Sequence, residues 1–134
     1  MPLPVAEILS SQVDVLAPCA LGGAINAQTI KGIKAKIIAG AANNQLSEQS
    51  IGDQLIDLDI LYAPDFVINA GGIIDIHYQR TRTSSAPVAR QLINMHVEKI
   101  ADTLGVIFIK SNETGLSCQL IAEQMAEAKF KPRD

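Results

Sequence analysis

The chain has 134 residues, 48% of them hydrophobic, 19% charged and 4% aromatic, with a formal net charge of −3. The apolar share excludes wholesale disorder, and scattered lysines and arginines under a net negative charge offer no basic surface for a nucleic acid or an anionic membrane. Two cysteines outside any CxxC, Cys19 and Cys118, exclude a disulfide framework. No apolar run approaches the roughly 20 residues that span a bilayer, and the N-terminus carries no basic region of the signal-peptide kind. The expectation is a soluble, cytoplasmic, single-domain protein.

In chain order, short β-branched apolar runs at Val13–Leu16, Lys36–Ala39 and Phe66–Ile68, with a lesser one at Ile60–Tyr62, predict strands. Asn26 can cap a helix to about Ile33, and Ser47 can cap one through Ile51, Leu55 and Leu58. Continuous apolar strands alternating with helices are what a parallel sheet covered on both faces requires, so residues 1–79 read as βαβαβ. Arg80–Pro87 is polar, with threonines and a proline, and reads as a loop. Residues 88–134 turn to helical spacing, from Ala89, Leu92 and Ile93 to Ile107 and Phe108. His96 falls on that stripe and is expected in the core. A break at Ser111–Gly115 follows, with Ser117 as cap of a last helix. The fold class is α/β: a partial Rossmann-type parallel sheet (its later half) followed by C-terminal helices, all in a single unit.

Ligands of open parallel sheets sit outside the carboxyl ends of the strands. There the sequence places Ala17-Pro18-Cys19-Ala20 with Gly22-Gly23, then Gly40-Ala41-Ala42-Asn43-Asn44-Gln45, then Asn69-Ala70-Gly71-Gly72. Small residues let a flat ligand approach the backbone, and asparagine amides suit a carboxamide or a carboxylate. Each cluster also has a plainer reading. Asn43-Asn44 can be turn formers, Gly71-Gly72 a tight passage into a helix, and Cys19 a small buried hydrophobe. Neither His77 nor His96 has a second ligand at metal spacing, so no metal site is expected. GxGxxG and GxSxG are both missing from the sequence, and none of the seven lysines follows a strand end. A complete active site is therefore not expected, and no catalytic residue is assigned.

The runs Asp14-Val15-Leu16-Ala17-Pro18-Cys19-Ala20-Leu21-Gly22-Gly23, Ala35-Lys36-Ile37-Ile38-Ala39-Gly40-Ala41-Ala42-Asn43-Asn44-Gln45-Leu46 and Tyr62-Ala63-Pro64-Asp65-Phe66-Val67-Ile68-Asn69-Ala70-Gly71-Gly72-Ile73-Ile74 resemble the Glu/Leu/Phe/Val dehydrogenases, with the leucine-type members nearest. The resemblance is dense from about Val13 to Ile76. It implies the later half of a nicotinamide-dinucleotide (NAD) domain of Rossmann type plus C-terminal helices. The glycine-rich fingerprint, the ribose-binding acid and the catalytic lysines and aspartate would then lie upstream of Met1. It further implies that Ala17, Pro18, Cys19 and Ala20 line the cofactor cleft and that Asn43 and Asn69 hold the nicotinamide side. Asn44 would meet the substrate carboxylate, while Ile73 and Ile76 face its side chain. Two isoleucines disfavour a second carboxylate and fit a branched-chain amino acid such as leucine.

On that resemblance the chain is expected to be a fragment of an NAD-dependent amino acid dehydrogenase, binding NAD weakly or not at all and inactive alone. The alternative is a stand-alone, non-catalytic nucleotide-binding or assembly module. In strand order 3-2-1-4-5-6, Val13–Leu16 would lie beside a missing first strand, so self-association through that apolar edge is also expected.

Overall fold

The computed structural model describes residues 2–81 and 86–130. After a short helix α1 (Val5–Ile8), three strands form one sheet: β1 (Val15–Leu16), β2 (Ile37–Ile38) and β3 (Leu61–Tyr62). Both pairings are parallel and the order is β1-β2-β3, with Val15 opposite Ile37 and Ile37 opposite Leu61. Between β2 and β3 runs α2 (Ser50–Asp57). Beyond β3 come α3 (Asp65–Ile68), α4 (Gly71–Thr81), α5 (Ala86–Thr114) and α6 (Cys118–Phe130). The α/β class with a parallel sheet and following helices is the one read from the sequence.

The strands are shorter than their apolar runs, and the lesser run at Ile60–Tyr62 supplies the third strand. Phe66–Ile68, expected as a strand, is helical: Pro64 is the N-cap of α3 with φ −55° and an extended ψ of 129°, and Asp65 opens its first turn. Proline before an acidic first turn is a helix-start signal, and it outweighs the β-propensity of three residues. The helix expected from Asn26 shrinks to a single 3-10 turn at Ile30–Gly32. Asn26 does not cap it: the N-cap is Thr29, and Asn26 Oδ1 accepts the N–H groups of Gln28 and Thr29, each at 3.0 Å, in the turn just before. Ser47 does not cap α2 either, because the helix starts further on with Gln49 as N-cap; the Ser47 N–H is held by the Ile25 carbonyl at 2.9 Å beside the parallel bridge Ile25–Leu46.

The end of α2 explains how the chain turns into β3. Asp59 takes φ 55°, its N–H bonds Ile56 O at 2.8 Å, and the Ile60 N–H bonds Leu55 O at 2.9 Å. This pair of bonds is the Schellman arrangement, with aspartate at the left-handed position that glycine usually fills. Gly115, at φ 71°, ends α5 with its N–H on Ser111 O at 2.9 Å, so that helix runs past the expected break at Ser111. Ser117 Oγ then accepts the Leu120 N–H at 3.4 Å and starts α6. Arg80 and Thr81 close α4, while Ala86 and Pro87 open α5. Only residues 82–85 of the expected loop lie outside the described residues.

Burial divides into two hydrophobic clusters. The first gathers Leu16, Ile25, Ile30, Ala35, Ile38, Ile51, Leu55, Ile60 and Tyr62, with Leu9, Ile33 and Leu46 packed on it. The second gathers Ile107, Cys118, Ile121 and Ala122 with Val67, Leu104, Phe108 and Met125. The clusters abut where a Cβ on buried Gly52 would come within 3.3 Å of Gln119 Cβ and Ser117 Oγ. His96 is exposed rather than packed in the core, and its ring lies edge-on to Tyr78 at 6.0 Å. Ile107 is turned fully inward on a long helix that α4 and α6 cover only in part, and His96 stays exposed although it lies beside Tyr78 of α4. Among the described residues, no helix is long and apolar enough to cross a membrane.

Candidate functional site

The carboxyl ends of the three parallel strands lie at one sheet edge, as parallel pairing requires. Past β1, Pro18 is buried while Ala17, Cys19 and Ala20 are exposed. The Pro18 carbonyl accepts the Ala42 N–H at 2.9 Å, tying the first loop to the second. The Ala41 N–H points to Cys19 Sγ at 3.4 Å, a second tie between the same loops. Gly40 lies against Pro18 so tightly that a Cβ there would collide with the Pro18 carbonyl.

Asn43 and Asn69 meet directly. The Asn69 Nδ2 donates to Asn43 Oδ1 at 2.6 Å and reaches the Ala41 carbonyl at 3.5 Å. The bond leaves Asn43 Nδ2 and Asn69 Oδ1 without a partner among the described residues, so the pair presents one donor and one acceptor side by side. Asn69 does not follow a strand. It is the C-cap of α3, and that helix carries it back over the end of β2.

Asn44 is exposed and stands in the left-handed region, φ 52°. Its carbonyl accepts the Gly23 N–H at 2.7 Å, and its N–H donates to Asp65 Oδ2 at 2.6 Å. A Cβ on Gly22 would stand 2.8 Å from the Asn43 carbonyl oxygen and 3.0 Å from that of Asn44. Ile73 and Ile76, one helical turn apart on α4, are both solvent-facing, at 76% and 54% exposure. The structure therefore brings Ala17–Ala20, Asn43, Asn44 and Asn69 into one cluster, with Ile73 and Ile76 on the helix that follows. Gly71 and Gly72 have open space where a Cβ would lie, so a tight passage does not account for them.

Three residues of the cluster were not singled out from the sequence. Gln45 is fully buried, and its Nε2 donates to the carbonyls of Gly40 at 2.6 Å and Ala42 at 3.0 Å. Asp65 is buried and takes the Tyr62 hydroxyl on Oδ1 at 3.3 Å. Burial, with the Asp65 charge beside it, pushes the Tyr62 hydroxyl well above the usual tyrosine range. Only the run Gly40–Gln45, glycine to amide directly after a strand, hinted that the loop needs bracing.

An open parallel sheet with helices, whose strand ends converge on uncharged amides and small residues, defines an α/β protein that carries those groups at the edge where such sheets take their ligands. Residues 2–104 match the Glutamate/Leucine/Phenylalanine/Valine dehydrogenase family, and the chain belongs to it. It is 41% identical over 125 residues to leucine dehydrogenase of Bacillus subtilis, covering 93% of this chain and 33% of that protein. Valine dehydrogenase of Streptomyces albus is 37% identical over 132 residues, covering 93% and 33%. The crystal structure of L-tryptophan dehydrogenase from Nostoc punctiforme superimposes with a TM-score of 0.80 at 42% identity, over 92% of this chain and 36% of that one. The chain thus spans about a third of the length of the relatives it matches.

Proposed function

We propose that this chain forms the nicotinamide-side part of an NAD-dependent amino acid dehydrogenase that deaminates a branched-chain L-amino acid, such as leucine, to its 2-oxo acid. The observation that carries the reading is the Asn43–Asn69 amide pair. Its free donor and free acceptor are the complement of a primary carboxamide, which offers one acceptor and one donor in return. Ala17, Pro18, Cys19 and Ala20 would line the adjoining wall, where small side chains admit a ribose. Bound NAD supplies the hydride acceptor. Asn44 would take the substrate carboxylate, and Ile73 and Ile76 its aliphatic side chain. The chain's contribution is orientation, because holding two reactants in register removes much of the entropic barrier to their meeting.

In this reading the chain works as one unit, with the cofactor-side motifs in residues 1–79 and C-terminal helices in residues 88–134, in a cytoplasmic enzyme. The carboxylate of the cluster, Asp65, is buried and engaged by Asn44 and Tyr62 rather than open to a substrate, so the chain by itself is expected to turn nothing over. The free edge of β1 is proposed to pair with a second copy when nothing else covers it.

Titration of the isotopically labelled chain with NAD, followed by heteronuclear NMR, tests the assignment. Shifts confined to Ala17, Cys19, Ala20, Asn43 and Asn69, with a dissociation constant of roughly millimolar order, are expected. Shifts at other residues only would overturn it. Sub-micromolar affinity would instead favour a self-sufficient nucleotide-binding module.

A further inference from the structure

We propose that Asp65 is a positioning residue that sets the Asn43–Asn44 turn, and so the geometry in which the amides meet nicotinamide and substrate; this rests on the functional reading above. A carboxylate is rarely taken into a protein interior without bonds that hold it. Asp65 is only 7% exposed, and its two oxygens are divided between two tasks. Oδ2 accepts the Asn44 N–H at 2.6 Å, while Oδ1 accepts the Tyr62 hydroxyl at 3.3 Å. The Tyr62 oxygen in turn accepts the Asp65 N–H, also at 3.3 Å. The carboxylate is therefore anchored to the end of β3 and grips main chain that follows β2.

What it grips is the residue with left-handed backbone. Asparagine tolerates φ 52° better than most residues, but an unsupported turn still samples other conformations. A short bond to a carboxylate is of the strong, charge-assisted kind. It acts together with the Gly23 N–H on the Asn44 carbonyl, so both faces of the Asn44 backbone are fixed. The side chain is left exposed, free to meet a ligand.

The same helix performs the second alignment. Asp65 is the first residue of α3 and Asn69 its C-cap, joined by the Asn69 N–H on the Asp65 carbonyl at 3.0 Å. One end of α3 thus holds Asn44 by its backbone, and the other holds Asn43 by its side chain. Removing the Asp65 carboxylate leaves Asn69 on its helix but frees the loop that must meet it. Buried and fully engaged, Asp65 touches no reacting atom; it acts through the asparagines.

The test uses the full 134-residue chain with Asp65→Ala, the conservative Asp65→Asn, and Leu55→Ala as a control that loosens the first cluster near the amino end of β3, away from the site. In Asp65→Ala the Asn44 amide proton should move upfield and exchange faster, and NAD affinity read at the Asn43 and Asn69 side-chain amides should fall about tenfold. Asp65→Asn keeps an acceptor for the Asn44 N–H and should recover most of that loss. Should Asp65→Ala fail to fold, Asp65→Asn still decides the matter through a smaller upfield shift of the same amide. An unchanged Asn44 amide in a folded variant overturns the proposal. So does a Leu55→Ala chain that loses NAD affinity as much as Asp65→Ala, because instability alone would then explain the effect. If NAD shifts other residues of the unmodified chain and not Asn43 or Asn69, the functional reading fails. The Asn44 amide then still reports whether Asp65 holds the turn.

Discussion

Gly40 lies directly against the backbone of Pro18, at a separation that leaves no room for a β-carbon. The contact is between main chains, so no side chain can swing aside to relieve a substitution. Gly40→Ala is therefore expected to cost about 3 kcal/mol or more of stability, read from the midpoint of urea unfolding. A loss within experimental error would mean that the first and second loops are not in contact in solution.

Gln45 braces the same loop from inside. Its amide group satisfies the Gly40 and Ala42 carbonyls, and leucine fills a similar volume with no donor at all. Gln45→Leu should lower stability by about 2 kcal/mol, the usual scale for leaving buried acceptors unpaired. The loss should come with faster amide exchange between Ala39 and Asn44. Unaltered exchange there would assign the bracing to other contacts.

The Tyr62 hydroxyl sets a limit at alkaline pH. Its folded-state pKa is raised, chiefly by burial and then by Asp65, so the folded state holds the proton more tightly than the unfolded chain. The associated stability is whole below the ordinary tyrosine value near 10 and is lost progressively as pH rises above it. Unfolding free energy should fall above about pH 10 more steeply in the unmodified chain than in Tyr62→Phe. Equal slopes would remove Tyr62 from the account.

The two thiols should separate cleanly. Cys19 is exposed at the candidate site and Cys118 is buried in the second cluster. A maleimide reagent is expected to modify Cys19 in the native chain and Cys118 only after denaturation, as read by peptide mass spectrometry. NAD should slow the reaction at Cys19. Equal labelling of both thiols without denaturant would mean that α6 does not stay docked.

The open side of β1 yields a last expectation. Val15 is 49% exposed on an edge strand, and a lysine there discourages edge pairing. Sedimentation velocity should show the unmodified chain associating with rising concentration and Val15→Lys less so. A unmodified chain that stays monomeric throughout would exclude pairing by this edge.

Much of this architecture was legible because it rests on local pattern. The apolar runs before Ala17 and Gly40 announced two of the strands, the lesser run at Ile60–Tyr62 announced the third, and the small residues and amides after the first two marked the edge that carries the candidate site. The further strand expected at Phe66-Val67-Ile68 is a helix because three residues are too few for periodicity to separate the two, and the Pro64-Asp65 start signal decides it. Asp65 and Tyr62 could not be read as parts of the site. Their role comes from a bond to Asn44, 21 residues earlier in sequence, and such pairings exist only once the sheet has formed. His96 was misjudged for a related reason. Its helical spacing is apolar, but which part of a long helix is covered depends on its neighbours α4 and α6.

The division of the interior into two clusters has a temporal side. Every member of the first cluster lies at or before Tyr62 in the chain, and every member of the second lies after it. As the polypeptide leaves the ribosome, the sheet and its own packing can close while the long helices are still unsynthesised. The loops that carry Cys19 and Asn43 would then take shape first and wait for Asn69, delivered last by the four-residue helix between the two halves. The candidate edge is in this sense closed partway through a vectorial assembly, once translation has passed that short helix and before the long helices are complete.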